Sequence, residues 1–302
     1  MYKITVITSL YHCSKYIESY LKFTLNIVNL EEVEILLLHN EPQYDEMRII
    51  ERYLPLNKSL KHVIISKRES LYTTWNRGCK IATGKYIAIW NVDDIRFPDS
   101  LQRQAEILDK YPEVAMPYGN YYLTAVYGDL TGKFINERDC SRLKYKLLPK
   151  YSHLVSCFPM WRKSIHDELG YFDEQFKLAA DYDFQIRIAR KYKLKKIEHN
   201  IGCYLSDNPN RLSKNTNLQQ SELLAIELRY GIYYKNNLIY LPGALKYDLN
   251  AIFSFNQRIS LISYLSVLHL KERVIALPLI LLSVICLPYQ LTRSIKNKII
   301  NK

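Results

Sequence analysis

Four short apolar segments, rich in β-branched residues, punctuate the N-terminal third of the chain. They run from Ile4 to Ile7, Val33 to Leu38, His62 to Ile65 and Tyr86 to Trp90. Continuous apolar runs of this length are typical of parallel strands that are covered on both faces. We therefore predict four buried strands in this part of the chain.

Residues with helical spacing separate these segments. A first apolar stripe runs from Ile17 to Val28 after Ser14 as N-cap, and a second runs from Met47 to Tyr53. A third runs from Leu71 to Ala82 and ends at Gly84. Because helices and strands alternate, we predict an α/β fold with a mostly parallel central sheet. Ligands of such sheets bind beyond the carboxyl ends of the strands.

The fourth apolar segment stops on two adjacent carboxylates, in the sequence Asn91-Val92-Asp93-Asp94. Two carboxylates at the end of a buried strand are costly unless a positive charge meets them. The chain has neither G-x-G-x-x-G after its first strand nor a P-loop motif, which disfavours dinucleotide and P-loop binding. A divalent cation shared with substrate phosphates would meet the requirement. The alternative is a helix cap by Asp94 or a solvated turn.

Composition narrows the class of protein. The chain has 302 residues, 48% of them hydrophobic, which suffices for one large or two smaller globular domains. Its six cysteines have no C-x-x-C spacing, and His153, His166 and His199 have no metal-ligand spacing. We therefore interpret these side chains as structural and expect a reducing compartment. The N-terminal segment is too short and strand-like for a secretory signal, so we expect the catalytic part in the cytoplasm.

The charge distribution bears on partners. The net charge is +12, and residues 201–302 contribute 12 basic and 5 acidic side chains, an excess of +7. Neither zinc-finger spacing nor an RNA-binding motif accompanies this charge. We therefore expect no nucleic-acid partner. A composition bias with a solvated basic face is the alternative origin of the charge.

A longer signature surrounds the paired carboxylates. The segment "SLYTTWNRGCKIATGKYIAIWNVDDIRFPDSLQRQAEIL" (Ser70 to Leu108) resembles the central motif of family 2 glycosyltransferases with the GT-A fold. In that family an N-x-G-x-x-x-A-x-G-x-Y segment leads into a D-x-D motif and a Pro-initiated helix. The residues that keep this spacing are Asn76, Gly78, Ala82, Gly84 and Tyr86. "KITVITSLYH" upstream and Met160 to Tyr192 downstream extend the resemblance over roughly residues 1–213.

The resemblance implies a domain organisation. We expect a GT-A catalytic domain over residues 1–215, with a nucleotide-binding half at 1–117 and an acceptor half at 118–215. A C-terminal helical region over residues 216–302 should follow and associate with a membrane.

The resemblance also implies a metal site. Asp93 occupies the last position of the D-x-D motif and would bind the divalent cation, Mn²⁺ or Mg²⁺. Asn91 replaces the Asp at the first position, where an amide can still donate a hydrogen bond to a ribose hydroxyl. Asp94 would support this site from behind without binding the cation directly.

Other matching positions should contact the nucleotide and its phosphates. The predicted residues are Thr8, Tyr11, Asn40, Asn76, Asn91 and Arg211. After the second strand, His39 and Asn40 stand where the family usually has an acidic pair that reads the base. The identity of the base is therefore left open.

The acceptor hydroxyl needs a general base, because its pKa lies far above 7. The resemblance assigns this role to Asp181, which matches the Asp of the family's E-D pair, with Ala180 in place of the Glu. A helix N-cap is the alternative role of Asp181. Asp183 and Trp161 are weaker predictions for the acceptor side, and core packing is the alternative for Trp161.

The C-terminal segment predicts a membrane contact. Val274 to Tyr289 carries no charge but falls short of the ~20 residues that span a bilayer, and it contains Pro278 and Pro288. Together with the basic residues that follow, it fits an in-plane contact with the cytoplasmic face of a membrane. A helix packed on the catalytic domain or on a second subunit is the alternative.

We therefore expect a metal-dependent, inverting glycosyltransferase that moves a sugar from a nucleotide-diphosphate sugar to a glycan or lipid-linked acceptor. Within enzymes, the alternative is a sugar-phosphate nucleotidyltransferase, although the usual Gly-rich basic loop is missing. Outside enzymes, the alternative is a non-catalytic, membrane-associated protein that binds sugar nucleotides or glycans.

Overall fold

The structure is a computed structural model that describes residues 2–137, 139, 155, 157–206, 216–230, 240–244 and 246–247. The strands are β1 Ile4–Leu10, β2 Val33–Asn40, β3 Leu60–Ile65, β4 Tyr86–Ile89, β5 Ile95–Arg96, β6 Val114–Thr124, β7 Lys133–Ile135, β8 Met160–Arg162 and β9 Lys193–Leu205. The helices are α1 Ile17–Thr24, α2 Tyr44–Tyr53, α3 Leu71–Ile81, α4 Ser100–Lys110, α5 Ile165–Leu169, α6 Ala180–Lys191, α7 Thr216–Tyr230 and α8 Leu241–Ala244, and a 3₁₀ turn spans Leu30–Glu32.

The larger sheet has the strand order β3-β2-β1-β4-β8. Its first four strands are parallel, and β8 runs antiparallel to β4. These four are the strands predicted from the apolar segments, and every residue of β2 and β4 is buried. The predicted α/β fold with a mostly parallel central sheet is confirmed. The predicted burial holds for β1, β2 and β4 but only in part for β3, which lies at the edge of the sheet and has Ile64 54% exposed.

The three predicted N-terminal helices are present, but one N-cap differs from the prediction. Helix α1 begins at Ile17 after Tyr16, without a side-chain cap, so Ser14 is not its cap. Instead, the backbone N–H of Ser14 donates to a carboxylate oxygen of Glu46 on α2 at 3.1 Å. The turn after β1 is therefore fastened to α2 rather than to the helix that follows it.

Two glycines of the signature allow close packing against the sheet. A Cβ on Gly78 of α3 would lie 2.8 Å from Ile7 Cγ2 and 2.9 Å from Leu38 Cδ1. A Cβ on Gly84 would lie 2.6 Å from the backbone carbon of Ile4. All three distances are shorter than van der Waals contact. A side chain at either glycine would therefore force α3 or β4 away from β1.

A second sheet, with the strand order β5-β9-β6-β7, stands beside the first. Strands β6 and β9 are parallel, and β5 and β7 pair antiparallel with them at the edges. The register of β6 against β9 shifts between Val114 and Met116 and again after Gly119. Because β5 begins at Ile95, this sheet fixes the chain directly after the Asn91–Asp94 segment.

Buried charges join α6 to α7. Arg229 of α7 pairs with Asp173 at 2.7 Å and with Asp183 of α6 at 2.9 Å, and Arg187 also pairs with Asp183 at 2.9 Å. These side chains are at most 1% exposed. Fully paired buried charges of this kind hold two elements in one arrangement.

The membrane and domain predictions fall largely outside the described residues. Among the helices that the structure describes, none is long and apolar enough to cross a bilayer. The segment 274–289 and the basic residues after it lie outside the described residues. The predicted domain boundary at residue 215 does so too, and it stays a prediction.

Candidate active site

A cleft of about 1100 Å³ opens at the carboxyl ends of β1, β2 and β4. Ser9 near the end of β1 and Tyr11 after it border the cleft, as do Asn40 at the end of β2 and Asn91 and Asp93 after β4. The opposite wall comes from residues 155, 157–159 and 161 and from the start of α6. The cleft thus lies where ligands of parallel α/β sheets bind.

The turn after β4 directs its two carboxylates differently. Asp94 is 3% exposed, and its carboxylate accepts from Asn91 Nδ2 at 3.1 Å and from the Leu205 backbone N–H at 3.2 Å. Burial, together with the charge of Asp93, raises the pKa of Asp94 well above its usual range. The Trp90 indole donates to the Asp94 carbonyl at 2.9 Å. Asp94 is thereby held inside, while Asp93 remains half-buried on the cleft.

This turn provides oxygen ligands that fit a hard divalent cation. Asp93 contributes a carboxylate, and the bond from Asn91 Nδ2 to Asp94 does not use the Asn91 amide oxygen. The Tyr127 hydroxyl is buried and has no hydrogen-bond partner among the described residues. Its pKa is raised mainly by burial and further by the nearby charges of Asp93 and Asp94. Two carboxylates beside an unsatisfied phenol make a site where added positive charge is favourable.

The wall near β1 and β2 combines a ring, a cation and an amide. The guanidinium of Arg68 lies 3.9 Å from the ring centroid of Tyr11. Asn40 donates from Nδ2 to Thr74 Oγ1 at 3.0 Å and accepts from the Glu69 backbone N–H at 2.9 Å. These bonds fix the segment that carries Arg68 next to the end of β2. Arg68 was not among the residues predicted from the sequence.

Asp181 lies on the opposite side of the cleft, in the first turn of α6. Its Oδ1 accepts from the Tyr72 hydroxyl at 3.0 Å and from the Tyr182 backbone N–H at 2.9 Å. The N-cap position of α6 is Ala179, so Asp181 is not the cap of this helix. Burial and the charge of Asp181 raise the pKa of Tyr72 well above its usual range. The phenol therefore stays protonated and donates a hydrogen bond to the carboxylate.

The model of the family described as glycosyl transferase family 2 matches residues 5–170, just over half of the chain. The chain belongs to this glycosyltransferase family. An uncharacterised glycosyltransferase of Methanocaldococcus jannaschii is 29% identical over 206 residues, which cover 66% of this chain and 69% of the relative.

Two solved structures have the same fold. S. aureus TarS 1-349 in complex with UDP-GlcNAc superimposes with a TM-score of 0.58 at 16% identity, over 90% of this chain and 77% of that one. A mannosyltransferase from Pyrobaculum calidifontis in complex with GDP-Man and Mn²⁺ gives a TM-score of 0.54 at 13% identity, over 81% and 73% of the two chains. The fold of this family 2 member is therefore GT-A.

Two residues predicted at the nucleotide lie elsewhere. Thr8 is fully buried, and its hydroxyl shares a 2.5 Å hydrogen bond with Tyr20. Asn76 donates to the Phe172 carbonyl at 2.9 Å and to Glu174 at 2.8 Å, and accepts from the Phe172 N–H at 2.9 Å. Neither side chain borders the cleft. In this family 2 chain both residues stabilise the fold, and Arg211 lies outside the described residues.

The two weaker acceptor-side predictions are also corrected. Asp183 is fully buried, its pKa lowered by Arg187 and Arg229 against the effect of burial, and it accepts from the Tyr230 hydroxyl at 2.7 Å. Trp161 belongs to the inner wall of the cleft, but it is only 1% exposed and donates to His166 Nε2 at 2.9 Å, so little of its ring is available to a ligand. The Trp161 ring packs edge-on against Phe172 and Phe184, with centroids at 5.8 and 5.5 Å. This burial favours the core-packing alternative for Trp161.

Proposed function

We propose that this glycosyltransferase moves a sugar from a nucleotide-diphosphate sugar to a glycan or lipid-linked acceptor, with a divalent metal and with inversion at the anomeric carbon. One observation carries the proposal: Asp93 and Asp181, far apart in sequence, border the same cleft at the ends of the sheet strands. Group transfer to a hydroxyl needs a site for the diphosphate and a base for the acceptor. These two carboxylates are suited to those two tasks.

Asp93, assisted by the Asn91 amide, would hold Mn²⁺ or Mg²⁺ at the diphosphate. When bound, the cation neutralises the charge that develops on the leaving diphosphate. Asp94 would support the turn through its bonds to Asn91 and Leu205. Support for a metal also comes from the mannosyltransferase neighbour, which is described in complex with Mn²⁺.

The nucleotide would lie against Tyr11 and Asn40, with Arg68 near its phosphates. A guanidinium matches the geometry of phosphate oxygens and carries a permanent charge. The two structural neighbours are described with UDP-GlcNAc and with GDP-Man. Both are nucleotide-diphosphate sugars, and a panel of such donors is the direct way to identify the base and the sugar.

Asp181 would accept the proton of the acceptor hydroxyl as that oxygen attacks the anomeric carbon. The hydroxyl oxygen forms the new bond, the bond to the diphosphate breaks on the opposite face, and the proton goes to an Asp181 carboxylate oxygen. The Tyr72 hydroxyl and the Tyr182 N–H both donate to Oδ1 and hold the carboxylate at the cleft.

Single substitutions test these roles. Asp181→Asn should reduce sugar transfer by ~10² or more and leave donor binding nearly unchanged, because only the basic oxygen is lost. Asp93→Asn should abolish metal-dependent donor binding as well as transfer. Asp167→Asn, at an exposed position on α5, is the matched control and should retain both properties.

The assay should follow transfer, release of nucleotide diphosphate, and pyrophosphate exchange, each with Mn²⁺ or Mg²⁺. Full transfer by Asp181→Asn to a proven acceptor would refute the assignment of the base. Pyrophosphate exchange with a sugar phosphate would favour the nucleotidyltransferase alternative. Donor binding without any turnover across the acceptor panel would favour a binding protein.

We also propose that the segment after residue 270 holds the enzyme at the cytoplasmic face of a membrane. The proposal is supported by the sequence alone, namely the uncharged run from Val274 to Tyr289 and the basic residues that follow. A lipid-linked acceptor would then be reached at the membrane surface.

A further inference from the structure

A second cluster of potential metal ligands lies away from Asp93, at the ends of β1 and β2. Cys13 follows β1, His39 lies near the end of β2, and Glu46 lies in the first turn of α2. One side-chain ligand atom from each residue lies within 4.8 Å of the other two. Cys13 is 1% exposed and the other two are fully buried. A thiol, an imidazole and a carboxylate thus converge inside the molecule.

The carboxylate of the cluster is fixed in position. Glu46 Oε1 accepts from the backbone N–H groups of Cys13 and Ser14, the latter at 3.1 Å. Its Oε2 accepts from the Gln43 backbone N–H at 3.1 Å and lies 2.9 Å from His39 Nε2. These contacts place the Cys13 turn, the end of β2 and the start of α2 around one point. Ligands held by surrounding hydrogen bonds in this way lose little entropy when a cation binds.

A second histidine controls which nitrogen of His39 carries the proton. His62 Nε2 lies 3.1 Å from His39 Nδ1, so one hydrogen lies between the two nitrogens. With that hydrogen on His62, His39 carries its own proton on Nε2 and donates it to Glu46. With the hydrogen on His39 Nδ1, Nε2 presents a lone pair toward Cys13 and Glu46. A ligand histidine that donates its other N–H to a neighbour is the usual arrangement in metal sites.

We propose that Cys13, His39 and Glu46 form a Zn²⁺ site, with His62 as the positioning residue that fixes the His39 tautomer. The ligand set selects the metal: thiolate and imidazole favour Zn²⁺, whereas Mg²⁺ and Mn²⁺ prefer the oxygen ligands offered near Asp93. On binding, the Cys13 thiol loses its proton to solvent and its sulfur bonds to the metal. Water completes the tetrahedral coordination.

The position of this zinc site gives it a structural consequence. Cys13 borders the cleft, and the same turn carries Tyr11, which lies against Arg68. Bound Zn²⁺ would join this turn to β2 and α2 through three metal–ligand bonds, in addition to the backbone hydrogen bonds to Glu46. The zinc site is independent of the transfer chemistry, since it uses none of the residues assigned to the diphosphate or to the acceptor.

Metal titration of the full-length chain without a histidine tag tests the zinc site. The protein is freed of metal with a chelator and titrated with Zn²⁺, and separately with Co²⁺, whose thiolate charge-transfer absorption reports a Co–S bond. We expect one equivalent of metal and a charge-transfer band. Cys13→Ser should lose the band and weaken Zn²⁺ binding more than ~100-fold, since the sulfur ligand is gone. Cys79→Ser, at another buried cysteine, should change neither.

Two further variants distinguish the zinc site from adventitious metal binding and from the cation site at Asp93. His62→Gln should weaken Zn²⁺ binding by ~10- to 100-fold while the Co–S band persists, as expected for a residue that positions a ligand. Asp93→Asn should bind Zn²⁺ like the wild type. No bound zinc above background, or equal loss in Cys13→Ser and Cys79→Ser, would overturn the proposal. Because these readouts need no turnover, a failure here leaves the proposed transferase function unaffected.

Discussion

The hydrogen bond from Tyr72 to Asp181 sets the protonation of the proposed base. A donor that bonds to a carboxylate stabilises its ionised form. Tyr72→Phe removes this donor and keeps the ring, which packs against Trp75 with its centroid at 5.3 Å and at 88°. We expect the acidic limb of the pH profile of kcat to move to higher pH. The loss of kcat at pH 8 should be small, at most about tenfold.

The comparison is made on purified wild type and Tyr72→Phe with saturating donor and acceptor. Tyr121→Phe serves as the control, because its ring lies in a separate apolar cluster with Phe158 and Ile201. If the profile of Tyr72→Phe keeps its shape while kcat merely falls at every pH, Tyr72 has only a packing role.

At the residue scale, motif spacing found several side chains that border the cleft, but not which of their neighbours face inward. Tyr11, Asn40, Asn91, Asp93 and Asp181 all border the cleft. Thr8 and Asn76 belong to the same signature, yet they make internal hydrogen bonds. A sequence shows that a polar residue is present but not which side of the backbone its side chain occupies. Arg68 lies in the irregular segment between β3 and α3, where no hydrophobic periodicity indicates which way a side chain points.

The ion pairs between α6 and α7 should be decisive for the position of these two helices. Arg229→Met leaves Asp173 without its partner and Asp183 with only Arg187 of its two cations. Removing one member of a buried ion pair costs about 3–5 kcal/mol, because the remaining charge is buried without compensation. Urea unfolding should show this loss as a lower midpoint with an unchanged slope.

A surface ion pair provides the control for Arg229. Arg103→Met removes one of the partners of Asp99 at the start of α4. The Arg103 side chain is 48% exposed, so the loss should be less than about 1 kcal/mol. Equal losses in the two variants would show that the α6–α7 pairs contribute no more than a surface pair.

At the element scale, the first sheet was predictable and the second was not. Strands β1, β2 and β4 are almost completely buried, which fits their long apolar runs, whereas β3 at the edge of the sheet is partly exposed. Strand β9 mixes exposed and half-buried polar residues with buried ones. Strand β6 contains Pro117 and Gly119, and its register shifts against β9. Such strands are defined by their partners, which lie far away in sequence. The ion pairs of Arg229 on α7 also join residues far apart in sequence, so the sequence did not predict them.

The proposed membrane contact of the segment after residue 270 concerns the location of the whole molecule. Deletion of residues 271–302 should move the protein from the membrane fraction to the supernatant while donor binding is retained, since the uncharged run and the basic flank are lost. Neutralising Arg293, Lys296 and Lys298 alone should release only part of it, because the apolar contact remains. Continued sedimentation of the truncated protein, or loss of its donor binding, would favour a helix packed on the catalytic domain.

The stability of the whole molecule should depend on pH through His166. This side chain is buried as a neutral ring: it accepts from Trp161 Nε1 at 2.9 Å, and its Nδ1 lies 2.9 Å from the Gly170 carbonyl. Burial lowers the pKa of His166 from 6.5 to about 4 in the folded protein. Between these values the unfolded chain binds a proton that the folded protein does not, so stability decreases as the pH falls from 6.5 to 4 and this contribution levels off below 4.

One proton difference is worth about 1.4 kcal/mol per pH unit, or ~3 kcal/mol over this interval. Urea unfolding at half-unit steps from pH 7 to pH 4 measures the slope. His166→Gln keeps a donor and an acceptor but does not titrate, so its free energy of unfolding should fall less steeply with acidification than that of the wild type. Parallel curves for wild type and His166→Gln would mean that the Trp161–His166–Gly170 contacts tolerate the protonated ring, because the folded and unfolded states would then bind the proton equally.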